Sequence, residues 1–140
     1  MILCDMGALV ALLNTGDSSH ARCVQAAQQL PPEPFLITHA CFVEAMYFLG
    51  KLGGFPLQER LWNLWEHGKL VVRCPTVSEL ERIRALMQKY HDVPMDFADA
   101  SIVAAAEALG VRTLFTLDTD FYIYRIHEQE AFTIVPEAGN

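Results

Sequence analysis

The sequence predicts an α/β fold in which a parallel sheet of about five strands is covered by helices on both faces. Short apolar runs alternate with helical stretches of ordinary length, the pattern of a parallel sheet with helical crossovers. The first of these runs, Ile2-Leu3-Cys4, is too short and too apolar for an amphipathic helix and reads as a buried strand. With 140 residues, 52% of them hydrophobic, the chain suits one compact domain spanning 1–140.

After the first strand, which ends at Asp5, a short helix is expected over about residues 7–14. Asp17-Ser18-Ser19 can cap the next helix, whose Ala21, Val24, Ala27 and Leu30 face the core until Pro31-Pro32 stops it. Residues 35–38 form the second strand. A helix follows over 39–52, capped by Thr38 and stopped by Gly53-Gly54, and another over 57–67. The third strand covers 70–74. The helix over 77–90 turns Leu80, Ile83, Leu86 and Met87 inward, and the helix over 96–109 stops at Gly110. Residues 113–117 and 132–135 supply the fourth and fifth strands.

Four carboxylates interrupt this apolar framework. Asp5 ends the first strand and Asp118 follows Leu114-Phe115-Thr116-Leu117. Glu44 has Ala40, Cys41, Tyr47 and Phe48 at its i±3 and i±4 positions, and Asp99 has Met95, Ile102 and Val103. Burying unpaired carboxylates is costly and crowding them raises their pKa values, so the pattern points to a divalent cation. Hard ions such as Mg²⁺ or Mn²⁺ take such oxygens as ligands. Ligands of parallel sheets bind beyond the carboxyl ends of the strands, where Asp5 and Asp118 lie. Asp96 is placed as an N-cap first and a metal or substrate contact second. Asp118 and Asp120 are also natural turn formers.

Composition narrows the function. A formal net charge of −7 argues against gripping nucleic acid over the whole surface, but residues 51–89 carry seven basic and four acidic residues, +3, against −10 for the remainder. Cys4, Cys23, Cys41 and Cys74 form no C-x-x-C pair and read as reduced core thiols; the histidines lack zinc spacing. No apolar run reaches the roughly 18 residues of a membrane span, and a charge arrives at Asp5 before any signal-peptide core, so a cytoplasmic location is expected. Trp62 and Trp65 are expected in the core, although their spacing near the basic segment also suits base stacking. His20 and Arg22 lie beside the acidic crevice in some packings, but a solvated helix face is the default reading for both.

Taken in order, Met1-Ile-Leu-Cys-Asp5, Thr38 with Glu44, Asp96-Phe-Ala-Asp99-Ala-Ser-Ile102, and Thr116-Leu-Asp118-Thr-Asp120-Phe121 resemble the PIN-domain ribonucleases of the VapC toxin type. The resemblance spans nearly the whole chain. It implies a PIN-like three-layer α/β/α sandwich and an endoribonuclease dependent on one or two Mg²⁺ or Mn²⁺ ions, with Asp5, Glu44, Asp99 and Asp118 as the acidic quartet. Thr116 matches the family's hydroxyl position before the last aspartate. It further implies a homodimer and a small antitoxin encoded beside the gene. Met6 departs from the pattern, since Thr or Ser often follows the first aspartate. If RNA is the substrate, Arg60, Lys69, Arg82 and Arg84 of the basic segment are the candidates to hold it.

A haloacid-dehalogenase-type phosphatase is discounted, because Asp5 lacks the second carboxylate of D-x-D and too little chain follows Asp118-x-Asp120. The stronger rival is a PIN-like domain that binds RNA or protein without cutting. Met6 favours that rival; the intact quartet opposes it.

Overall fold

The computed structural model of the chain describes residues 1–138. Its elements run β1 (Ile2–Cys4), α1 (Met6–Leu13), α2 (His20–Gln29), β2 (Phe35–Thr38), α3 (His39–Gly53), α4 (Phe55–Glu66), β3 (Leu70–Arg73), α5 (Val77–Lys89), α6 (Phe97–Leu109) and β4 (Thr113–Phe115). A 3-10 turn (Thr119–Tyr122), β5 (Arg125–Ile126), β6 (Glu130–Ala131) and β7 (Thr133–Val135) complete the chain. Five strands form one sheet in the order β3-β2-β1-β4-β7. Every pairing in it is parallel, with Leu3 opposite both Leu36 and Leu114. All five strands therefore end on the same edge.

The expected fold class, with a central parallel sheet flanked by helices, is what the chain adopts. β1 is central and wholly buried, as its unbroken apolar run requires. α6 is buried almost all round: Ala98, Ala100 and Ser101 through Ala106 are inaccessible, their small side chains allowing close approach to the sheet. Thr38 caps α3 through its hydroxyl, which accepts from the Cys41 amide, and Gly54 ends that helix with φ of 69°. No helix among the described residues is long and apolar enough to cross a membrane.

Several expectations about helix faces are corrected. On α2 the buried residues are Cys23 and Ala26 rather than Ala21, which is exposed. On α5 Glu79, Ile83 and Leu86 are buried, while Leu80 is 44% and Met87 36% exposed. Trp62 and Trp65 are 40% and 52% exposed and meet edge to face on the outside of α4, not in the core. Cys74 is exposed, whereas Cys4, Cys23 and Cys41 are the buried free thiols expected. His20 is not merely solvated, because its Nδ1 lies 2.8 Å from the Ala11 carbonyl oxygen and ties α2 to α1. Arg22 donates to the Glu137 carbonyl oxygen.

Residues 125–131 form a β5–β6 hairpin that the spacing does not predict. Its turn places His127 and Glu128 at positive φ without the glycine or asparagine that normally marks such a turn. The hairpin is held instead by Glu107 of α6, whose Oε2 accepts from the His127 amide while Arg82 of α5 donates to both its oxygens.

Gly110 ends α6 in the left-handed region, φ 66°, and nothing lies within 4 Å of where a Cβ would sit. Gly110→Ala therefore strains only the backbone and is expected to lower stability by about 1 kcal/mol. Urea unfolding checks this; an unchanged midpoint would mean that α6 ends without needing that conformation.

Candidate active site

The edge on which the strands end collects the acids. Asp5 follows β1 and is the N-cap of α1: its Oδ1 accepts from the Met6 amide at 2.7 Å. Its Oδ2 accepts from the Thr116 hydroxyl at 3.0 Å, and the same hydroxyl oxygen accepts from the Asp118 amide at 3.0 Å. The buried Thr116 side chain thus joins the aspartates that follow β1 and β4. Asp118 in turn caps the 3-10 turn, accepting from the Asp120 amide at 2.9 Å.

Asp96 and Asp99 form a reciprocal capping box at the start of α6: Asp96 accepts from the Asp99 amide at 2.8 Å and Asp99 from the Asp96 amide at 3.2 Å. The expected cap at Asp96 is present. Asp99 belongs to the same motif, in the first turn rather than the helix interior, where an acid opposes the positive end of the helix dipole favourably. Glu44 projects from the first half of α3 and is half-buried.

Electrostatics bind these groups into one neighbourhood. Burial, followed by the charges of Asp96, Asp5 and Asp118, pushes the Asp99 carboxyl up to about 7, although the Asp96 amide pulls the other way. Burial also raises Asp5, with Asp118 and Asp96 adding to it against the Met6 and Thr116 hydrogen bonds. Glu44 is raised by burial and then by Asp96 and Asp5. Among the described residues no Lys or Arg pairs with Asp5, Glu44, Asp96, Asp99, Asp118 or Asp120.

Among the described residues, no three His, Cys, Asp or Glu donors converge closely enough to enclose an ion as they stand. The carboxylates form an open acidic neighbourhood, not a closed coordination shell. Its chemistry fits a hard divalent cation, since the donors are oxygens and lack any counter-charge. Burial, with neighbouring acids adding to it, raises the nearby Cys4 and Cys41 thiols above their usual range.

The basic candidates are placed less favourably. Lys69 precedes β3 and so lies at the opposite edge of the sheet from the acids. Arg82 is committed to Glu107, eight positions beyond Asp99 on α6, about 12 Å along its axis. Arg60 donates to the Leu13 carbonyl oxygen at 2.9 Å, and Arg84 is exposed on α5. Arg73, the last residue of β3, and Arg22 of α2, which lines a recess with Thr116 and Asp118, do lie at the strand-end edge, and counting charges by segment singles out neither. Tyr124 was also missed. Its hydroxyl is buried without a partner and held above its usual pKa by burial, then by Asp99 and Asp120. A lone tyrosine in a loop carries no sequence signal for that position.

The raised Asp99 makes metal-free stability depend on pH. An unfolded aspartate titrates near 3.9, so the stability gained by protonating native Asp99 is fully present below about pH 4 and lost as pH rises through about 7. Asp99→Asn keeps the acceptor for the Asp96 amide and removes the charge. Without metal, its melting temperature is expected to fall less than the parent's between pH 5 and pH 8. Parallel curves for the two proteins would remove Asp99 from the repulsive cluster.

Comparison with known proteins follows from this geometry. Several solved structures share the fold. Mycobacterium tuberculosis VapC20, described as a sarcin-ricin loop cleaving toxin, superposes with a TM-score of 0.82 at 19% identity over 93% of this chain and 99% of that one. A toxin-antitoxin complex from Klebsiella pneumoniae gives 0.66 at 24% identity, and FitAcB from Neisseria gonorrhoeae 0.59 at 21%. Each of these two covers 85% of this chain and 88% of its own. No curated protein matches by sequence. The PIN domain family model matches residues 2–126, and with strand-end acids on a five-stranded parallel sheet the chain belongs to the PIN domain family.

Proposed function

We propose that the chain is a Mg²⁺- or Mn²⁺-dependent endoribonuclease and the toxin of a toxin-antitoxin pair. The reading rests above all on the gathering, at the strand-end edge of a PIN-family fold, of acids that no Lys or Arg pairs with among the described residues. The toxin structures that share the fold support it.

Asp5, Glu44, Asp99 and Asp118 would hold the metal, with Asp96 and Asp120 as further oxygen donors. The chemistry such a metal would supply there is activation of water and neutralisation of charge on the phosphate. The chain's own part is orientation. The Thr116 hydroxyl and Met6 amide fix both oxygens of Asp5, and the Asp96 amide fixes one oxygen of Asp99. The Met6 departure costs little here, because Thr116 already donates a hydroxyl hydrogen bond to Asp5.

The antitoxin reading has a surface to go with it. Val43, Tyr47, Phe48, Leu52 and Phe55 stand exposed along α3 and at the start of α4, a large apolar face of the kind that marks protein interfaces. We assign this face to an antitoxin helix laid along it. A homodimer is also proposed.

RNA is expected to be cut only with Mg²⁺ or Mn²⁺, leaving a 5′-phosphate and a 3′-hydroxyl, and Asp5→Asn is expected to lose at least about a hundredfold in rate while staying folded. Gel assays with and without EDTA test this. RNA binding with no metal-dependent cleavage would favour the non-cutting module.

Tyr47→Glu with Phe55→Ser is expected to abolish co-purification with a protein encoded beside the gene and to leave RNA cleavage intact. Retained co-purification would move the antitoxin elsewhere, and loss of a dimer in ultracentrifugation would reassign the face to a second copy.

A further inference from the structure

We propose that the recess between the ends of β2 and β3 and the start of α6 is a subsite for one unpaired base of the RNA, guanine by preference, read by Arg73 and Glu79. The proposal rests on the ribonuclease reading and adds sequence selection to it.

The recess, about 180 Å³, is lined by Thr38, His39, Arg73, Pro75, Glu79 and Phe97, among others. It opens on the same edge as the carboxylates. β3 lies two strands from β1, about 10 Å away, and Phe97 directly follows Asp96. Pockets for whole small-molecule ligands run to roughly 300–1,000 Å³, so this one suits a single flat group rather than a cofactor.

Its polar groups are few and specific. Glu79 is only 7% exposed and accepts from Nη2 of Arg73. Nε of Arg73 is buried and has no hydrogen-bond partner among the described residues. A buried donor without an acceptor is costly and uncommon enough to require an explanation. The Thr38 and Ser101 hydroxyls do not supply one, since they bond to each other at 2.8 Å. Phe97 is 44% exposed and gives the recess an aromatic wall, on which a base can stack.

Charge decides what enters. A phosphate is repelled by Glu79 and the neighbouring acids, and a lone cation finds Glu79 already paired with Arg73. A neutral, planar group with an acceptor for the guanidinium and a donor for the carboxylate satisfies both. Guanine presents O6 and N7 as acceptors and N2–H₂ as a donor, and arginine is its commonest partner. The base beside the scissile phosphate would sit here while that phosphate lies over the acids.

The test uses short single-stranded RNAs that differ only in the base on either side of the cut. Cleavage is followed with Mn²⁺ and binding by fluorescence anisotropy with Ca²⁺, for the parent, Arg73→Lys, Glu79→Gln and Phe97→Leu. Lysine keeps the charge and loses the fork and Nε. The parent is expected to favour guanine at one position by roughly tenfold, within the range one bidentate base contact gives. Arg73→Lys and Glu79→Gln should reduce that preference below about threefold, and Phe97→Leu should weaken binding of all four RNAs together. Phe97→Leu leaves the ion pair intact, so it reports even if a charge variant fails to fold. Cleavage with the same base preference in every variant would overturn the subsite and leave the nuclease reading standing. A guanine preference in binding that the variants lose, without any cleavage, would sustain the subsite and overturn the nuclease. Neither binding nor cleavage by the parent would overturn both.

Discussion

Carboxylates crowded at one edge of a parallel sheet, with no Lys or Arg ion-paired to them among the described residues, set the terms for the rest of this molecule. Because all five strands point the same way, residues that follow β1 and β4 arrive at one edge as a matter of topology. The start of α6 arrives there too. Burial is the largest cause of the raised Asp99 and Asp5 carboxyls, and repulsion among the acids adds to it against the hydrogen bonds that each accepts. In the proposed reading, a bound cation would restore the balance of charge that the free fold lacks.

The cost is limited by giving the aspartates Asp5, Asp96, Asp99 and Asp118 a second, local task. Asp5 caps α1, Asp96 and Asp99 cap α6 reciprocally, and Asp118 caps the 3-10 turn. In every case a backbone N–H, a fixed dipole donor, meets one carboxylate oxygen and offsets part of its desolvation. Thr116 extends this by binding both Asp5 and the Asp118 amide, so the chains leaving β1 and β4 hold a fixed relation. Capping alone would have placed aspartates at these positions. It would not have brought four caps within electrostatic reach of one another.

Those local tasks explain why much of the site was legible in the sequence. An aspartate after an apolar run, a D-x-x-D before an alanine-rich stretch and Gly110 after it are signals contained within a few residues, and so were Thr38 and the strands themselves. What remained hidden depended on which side of a helix meets which neighbour. Leu80 and Met87 have the right spacing to be buried, but α5 presents Ile83 and Leu86 to α6 and leaves the other two outside. Trp62 and Trp65 look like core by composition and lie on an exposed face. Arg82 and Lys69 count equally in a charge tally, yet one is bound to Glu107 and the other sits at the far edge of the sheet. The β5–β6 turn, built on His127 and Glu128 at positive φ, offered no turn residue to read.

Arg73 and Glu79 invite a different kind of argument. A partly buried ion pair is weak support for a fold, because desolvation of both ions can cancel their attraction, and an apolar pair of similar size often serves stability as well. Such an exchange would have been easy here, at the end of an apolar strand and in the first turn of α5. The pair also leaves Nε of Arg73 without a partner, a defect that packing alone gives no reason to keep. Its position on the edge that carries the acids distinguishes it from Arg82–Glu107, which ties α5 to α6 and to the hairpin and so has a structural task. One ion pair is placed where the helices need joining. The other stands at the mouth of the site, electrically neutral as a unit, where it adds hydrogen-bonding groups of both kinds without either neutralising the acids or adding to their repulsion.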